Sequence, residues 1–278
     1  MQYSIPLVNI IFMAISGVIA LAVPIVLARH LLVKKKVNIK AFFIGAGIFI
    51  LFALIFEQFF HQVILTKTGT FGVSITNNIW YYAIYGGLAA GLFEELGRYV
   101  GFRFFLTKEK NPNTSIMYGL GHGGIEAILL VGVVMINNII YSILINQEAL
   151  SLIIKDPATL ATTLNSLSVL STTPALYFLM GGVERISAII LQVSLSVFVF
   201  MSVKYRGKKH LFFIAILIHA VVDFTVVVLA HFSNIYLVEL LTFILSLCVA
   251  FLAYRLYIFM NNDFHNRIEV LENEIIEE

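Results

Sequence analysis

Two histidines each stand four residues before a carboxylate inside a long apolar stretch: His122 with Glu126, and His219 with Asp223. On a helix that spacing puts both side chains on one face, with Cβ atoms about 5–6 Å apart. Two such helices facing one another would bring two imidazoles and two carboxylates to one point. Zn²⁺ and similar divalent ions accept those donors at about 2 Å. A third apolar stretch carries Glu94-Glu95-Leu96-Gly97-Arg98. Consecutive helical residues point in different directions, so both glutamates cannot enter one site equally. One is expected to face a cavity while Arg98, four residues after Glu94 and three after Glu95, neutralises or orients one of them. A catalytic metal keeps an open position for water, and a neighbouring carboxylate can take that water's proton.

The elements that must carry these groups follow from composition. The 278 residues are 60% hydrophobic and 12% charged, with a mean hydropathy of +0.94, whereas globular chains are roughly 25% charged. This excludes a soluble enzyme, a disordered chain and a disulfide scaffold, since the one cysteine, Cys248, lies in an apolar run. The expected fold is all-α and polytopic. Stretches of bilayer-spanning length occur at about 4–28, 40–66, 78–106, 114–147, 173–203, 211–231 and 236–260, which makes seven spans. Residues 1–260 are thus expected to form one transmembrane domain, with the chemical motifs in 78–231, an outer loop near 148–172, and an amphipathic tail at 261–278. That tail sets Ile268, Leu271, Ile275 and Ile276 among acids.

Basic residues orient the map. Arg29, Lys34, Lys35, Lys36, Lys40, Arg103, Lys108, Lys110, Lys204, Arg206, Lys208, Lys209, Arg255 and Arg267 fall on one side, Lys67 and Lys155 on the other, and Arg98 and Arg185 within spans. Cytoplasmic loops are the basic ones, so the N-terminus is expected outside and the C-terminus in the cytoplasm. A basic cluster follows the first apolar run and none precedes it, the reverse of a secretory signal, so that run is read as a span. Trp80-Tyr81-Tyr82 reads as an outer interfacial anchor.

With that orientation, Glu94 and Glu95 lie roughly 15 Å inside span three, and His122 and His219 roughly 12 Å inside theirs, at about 1.5 Å per residue. Glu126 and Asp223 lie one turn deeper. Independent structural ion pairs have no reason to share a depth, and intramembrane ionisable groups are costly enough to mark function. Four glycines in Gly119-Leu120-Gly121-His122-Gly123-Gly124 permit close backbone approach or bending there. Glu57 and His61 also stand four apart, towards the outer face, and read as a structural or access-lining pair. Adjacent Glu184 and Arg185 read as a mutually neutralising structural pair or as substrate-binding groups.

Glu94-Glu95-x-x-Arg98, Tyr118-x-x-x-His122 continuing to Glu126, and His219-x-x-x-Asp223, each on a separate span, resemble the YhfC family of intramembrane metalloproteases. That family is related to the CAAX-processing, bacteriocin-processing and PrsW-type membrane proteases. The ordered set is far more specific than any one motif. In the CAAX-type pattern the arginine stands one residue later, and phenylalanine takes the place of Tyr118. The resemblance implies catalytic Glu94, Glu95 and Arg98, with one of the glutamates activating water. It also implies that His122 and His219 help to bind metal or water, with Asp223 in a position often taken by Asn or Asp.

The expected activity is therefore metal-dependent hydrolysis of a peptide bond in a membrane-embedded or lipidated protein or peptide. Its ligands would be His122, Glu126, His219 and Asp223, its metal zinc, and its setting the lipid of a bacterial cytoplasmic membrane, with no nucleic acid partner. Buried carboxylates and histidines also build proton relays, so a proton- or ion-coupled transporter is the main alternative; inverted repeats or helices broken in matching halves would favour it, and the sequence has neither. A lipid-cleaving metal hydrolase and a catalytically silent immunity or scaffold protein are further alternatives.

Overall fold

The computed structural model describes residues 3–35, 37–65 and 70–277, with the backbone alone for 70, 71 and 271–277. Lys36, Lys67 and the side chains of Leu271, Ile275 and Ile276 lie outside the described residues. The described chain is helical, without strands: α1 Leu7–Lys35, α2 Lys40–Ile64, α3 Ile79–Val100, α4 Asn113–Asn146, α5 Ala175–Lys204, α6 His210–Phe232 and α7 Ile235–Glu277.

Among the described residues six of these, all but α3, are long and apolar enough to cross a membrane. The segment expected as span three does form a helix, but Glu94, Glu95 and Arg98, together with Trp80, Tyr81 and Tyr82, interrupt its apolar run. Side-chain Asn78 starts it by accepting from the amides of Trp80 (2.9 Å) and Tyr81 (3.3 Å). The tail is not set off at 260, because α7 runs unbroken to Glu277. The expected loop near 148–172 contains three short helices, Leu150–Ile153, Pro157–Leu167 and Val169–Thr172. Asp156 caps the second, accepting from the Thr159 amide at 2.7 Å, with Pro157 at its first turn.

The chain divides into two compact units, Met1–Val23 with Ala127–Ile186, and Pro24–Glu126 with Ser187–Glu278. In the first, Ile5, Met13, Ile145, Leu150, Leu170 and Phe178 form an apolar cluster. Polar side chains tie its segments together through backbone groups. Asn146 accepts from the Ile5 amide (2.7 Å) and donates to the Ile5 carbonyl (2.9 Å), and Asn9 donates to the Leu170 carbonyl (2.8 Å). Without water in the bilayer core, such groups must find partners within the protein.

In the second unit α3 packs most extensively against α6. Gly87 and Gly91, one turn apart, make that approach possible: a Cβ on Gly91 would lie 2.8 Å from the Ile216 carbonyl oxygen, and one on Gly87 would collide with that of Ala220. Small residues at such spacing are how apolar helices come close in lipid. In α5, 72% of the most apolar stretch is buried, against 22–33% in the other five spans, so α5 supplies core rather than lipid-facing surface. Among the described residues three places have wide, i→i+5 hydrogen-bonded turns, Ile50–Glu57, Gly101–Phe105 and Ile128–Gly132. Each adjoins a segment bearing buried charge, where such turns often mark functional positions.

Candidate active site

The second unit gathers the predicted groups from α3, α4 and α6. Glu94 Oε2 lies 2.9 Å from His122 Nε2, and Glu95 Oε1 lies 2.7 Å from His219 Nδ1. The two adjacent glutamates thus diverge, as their helical spacing requires, one to a histidine of α4 and the other to a histidine of α6. Arg98, wholly buried, reaches both: its Nη2 is 3.3 Å from Glu94 Oε2 and its Nε 3.6 Å from Glu95 Oε2. The question of which glutamate pairs with Arg98 is answered by both.

Of the two four-residue pairs, His219 and Asp223 do face one another, with Nε2 and Oδ2 3.5 Å apart. His122 presents Nε2 to Glu94 instead, and Glu126 accepts a hydrogen bond from Gln192 Nε2 at 2.7 Å. Accessibility also differs within the cluster. The Glu95 side chain is sealed, that of Glu94 is 10% exposed, and that of Asp223 is 34% exposed, so the site opens at Asp223.

Backbone packing positions His122. Gly121 lies against the Phe42 carbonyl of α2, and Gly45 of α2 lies against the Tyr118 carbonyl of α4; neither place has room for a Cβ. Around the ring, Phe49 stands edge-on at 5.1 Å and Tyr118 stacks at 6.2 Å. Tyr118 is itself held by Phe102 at 4.4 Å between centroids. The imidazole is therefore confined on its faces as well as at Nε2.

Gln192 of α5 is the site residue that sequence reasoning missed. Its Nε2 donates to Glu94 Oε2 (3.0 Å) as well as to Glu126, its backbone carbonyl accepts from Arg98 Nη1 (3.0 Å), and its Oε1 accepts from Arg98 Nη2. The available signal was an amide within an apolar span, a costly placement even without charge. Glu57 is buried at the end of the first wide turn. Its carboxylate is 3.2 Å from His61 Nε2, and His61 Nδ1 is 2.8 Å from the Tyr85 hydroxyl. Glu184 and Arg185, in the first unit, form an ion pair with each other.

The donor set suits a divalent cation in kind. Four carboxylates, Glu94, Glu95, Glu126 and Asp223, accompany one guanidinium, which only Glu94 and Glu95 contact, and two imidazoles, so the cluster has more acidic groups than permanent positive charges. Among the described residues, His122 Nδ1 and Glu95 Oε2 are buried without a hydrogen-bond partner, the latter 3.6 Å from Arg98 Nε. Separations of 2.9 Å for His122 with Glu94 and 3.5 Å for His219 with Asp223 are within reach of two ligands each about 2.0–2.2 Å from one ion. Among the described residues no three or more His, Cys, Asp or Glu close around a single point as a metal shell; the donors stand as carboxylate–histidine pairs.

Residues 19–244, which include every member of this cluster, match the sequence model of the family described as YhfC intramembrane metalloprotease. The chain belongs to the YhfC family. A YhfC relative in Bacillus subtilis strain 168, described as an uncharacterized membrane protein, is 37% identical over 211 residues, 76% of this chain and 81% of its own length. No solved structure matches the chain. Membership in the YhfC family agrees with the resemblance carried by the three motifs, and the helical architecture with the expected fold class.

Proposed function

We propose that this chain is a metal-dependent endopeptidase that hydrolyses a peptide bond of a membrane-embedded or lipidated protein or peptide inside the bacterial cytoplasmic membrane, with its N-terminus outside. The observation that carries the reading is the pair of adjacent glutamates on α3, each bonded to a histidine from a different helix within a buried cluster. Stable packing alone gives no reason to bury three carboxylates beside two imidazoles, with a fourth at their edge, since apolar side chains serve a membrane interior better.

His122 and His219, with Asp223 and Glu126 as carboxylate partners, would hold the divalent ion, zinc by donor type. When bound, such an ion makes water a stronger acid and polarises a carbonyl. Glu94, the accessible member of the pair, accepts the proton of the attacking water and returns it to the departing amine. Glu95 fixes the His219 ring through Nδ1, in the manner of carboxylates that orient metal-binding histidines. Arg98 balances both glutamates, and the Asp223 edge admits substrate and water.

The test uses the full chain purified in detergent and expressed in cells. His122→Ala and His219→Ala are expected to lose a stoichiometric divalent metal. Glu94→Gln is expected to retain the fold while abolishing a set of membrane-peptide fragments seen with the unaltered protein. Full cleavage by metal-free protein would refute the proposal, and solute uptake in proteoliposomes would support a transporter instead.

A further inference from the structure

Gln192 occupies a position that charge alone does not demand. Its amide hydrogens go to two carboxylates, Glu94 (3.0 Å) and Glu126 (2.7 Å), while its carbonyl oxygen faces Arg98. An amide is an uncharged side chain that donates and accepts at once, so it can serve both carboxylates and the guanidinium. The neighbours also fix its orientation, because the flipped amide would put its oxygen against both carboxylates. Gly123 allows this approach: a Cβ there would lie 2.8 Å from the Gln192 Cβ.

Arg98 shows what this arrangement changes. Arginine beside a carboxylate tends towards a bidentate pair, two parallel bonds to one group. Here Nη1 is drawn to the Gln192 backbone carbonyl (3.0 Å) and Nη2 is shared between Gln192 Oε1 and Glu94, leaving Nε towards Glu95. Each carboxylate therefore receives a single nitrogen from Arg98, and Glu94 Oε2 is held in line with His122.

Resting on the hydrolytic reading above, we infer that Gln192 is a positioning residue: it restrains Arg98 from closing bidentately on Glu94 and holds the Glu94 carboxylate at the angle its reaction needs. It touches no substrate in this role; it acts through Glu94 and Arg98. A purely structural role would instead reside in the link between α4 and α5, the Gln192–Glu126 hydrogen bond.

The exchange variant Gln192→Glu with Glu126→Gln separates the two. It restores an amide–carboxylate bond between α4 and α5 but sets a carboxylate against Glu94. Full-length protein is compared in three ways: thermal unfolding in detergent, Co²⁺ affinity by absorption titration, and accumulation of the fragments that Glu94→Gln abolishes. Gln192→Glu alone and Gln192→Leu are expected to lower fragment accumulation or Co²⁺ affinity about 10–100-fold, the usual effect of losing a group that orients a site. Glu126→Gln alone sets the reference for the loss of that carboxylate: in the exchange variant unfolding returns to the unaltered temperature while fragment accumulation and Co²⁺ affinity fall below those of Glu126→Gln. Recovery of stability with fragment accumulation and Co²⁺ affinity equal to those of Glu126→Gln alone overturns the positioning role and assigns Gln192 to structure. Unaltered fragment accumulation and Co²⁺ affinity in Gln192→Leu overturn it as well. An unchanged fragment pattern in Glu94→Gln refutes the hydrolytic reading itself, in which case Co²⁺ affinity of the Gln192 variants still decides the placement.

Discussion

Substituting alanine at Gly121 probes how the site is built without touching a chemical group. A Cβ at Gly121 would lie 2.8 Å from the Phe42 Cα and closer still to the Phe42 carbonyl, where ordinary contacts are about 3.5–4.0 Å. Both obstacles are backbone, so no side chain can swing aside, and α2 and α4 must separate by on the order of 1 Å. Overpacking of this kind costs about 1–3 kcal/mol, against a helix-propensity gain of about 1 kcal/mol for replacing glycine. His122 is the next residue along α4, and a displacement near 1 Å at a reacting centre lowers rate by about 10²-fold. The expected result is therefore a small loss of stability with a large loss of fragment production. Gly45→Ala meets the same crossing from α2, against the Tyr118 carbonyl and with the His122 amide nitrogen 3.0 Å away. The double variant should cost less than the sum, because helices already separated by one methyl group accommodate the second. Gly47→Ala is the control, since nothing lies within 4 Å of its Cβ position; it should be neutral or slightly stabilising. Stability is read by unfolding in detergent and activity by fragment accumulation. Equal effects of Gly121→Ala and Gly47→Ala, or strict additivity of Gly45→Ala and Gly121→Ala, would refute close backbone approach as what positions His122.

Other expectations follow from the same contacts. Arg98→Met leaves Glu94 and Glu95 without their shared guanidinium and should destabilise the fold by about 3–5 kcal/mol, the cost of breaking a buried ion pair from one side; near-normal unfolding would show that the cluster is neutralised otherwise. Asn146→Ala removes both bonds to Ile5 and should cost about 1–2 kcal/mol, with faster hydrogen exchange at the Ile5 amide as its local sign. At the helix Pro157–Leu167, hydrogen bonds from the Thr159 hydroxyl and amide hold the Asp156 carboxyl below its ordinary range. A depressed acid contributes stability that is present above about pH 4, its unfolded value, and lost as pH falls through the lower folded value. Protection of the Thr159 amide should therefore decline on acidification, and Asp156→Asn should remove that pH dependence while retaining a cap; an unchanged pH dependence in the variant would refute it.

Much of this arrangement is legible from residue types because lipid penalises charge so heavily. Glu94, Glu95, Arg98, His122, Glu126, His219 and Asp223 stood out as a set, and the structure brings them into one unit. Gln192 carries no charge and so does not stand out in the same way, yet an amide in α5 is also a polar group that a membrane interior does not tolerate unpartnered. Glu57 and His61, four residues apart, do stand as a pair at 3.2 Å, and Tyr85 of α3 joins them at His61 Nδ1. Counting along one helix gives depth but not lateral neighbours. The segment near 148–172 reads as a loop because its helices are short, although Asp156-Pro157 is a recognisable helix start.

Sequence alone determined the membrane-spanning helical class, the YhfC resemblance and the candidate groups, since apolar run length, charge scarcity and four-residue spacing are local properties. Tertiary structure decided the pairings: His122 with Glu94, His219 with Glu95, Arg98 with both glutamates, and Gln192 between Glu94 and Glu126. The physical reason is that a helical period fixes which residues share a face but not which way that face turns. The turn is set where backbones from distant parts of the chain meet, at Gly45 and Gly121 between α2 and α4 and at Gly87 and Gly91 between α3 and α6.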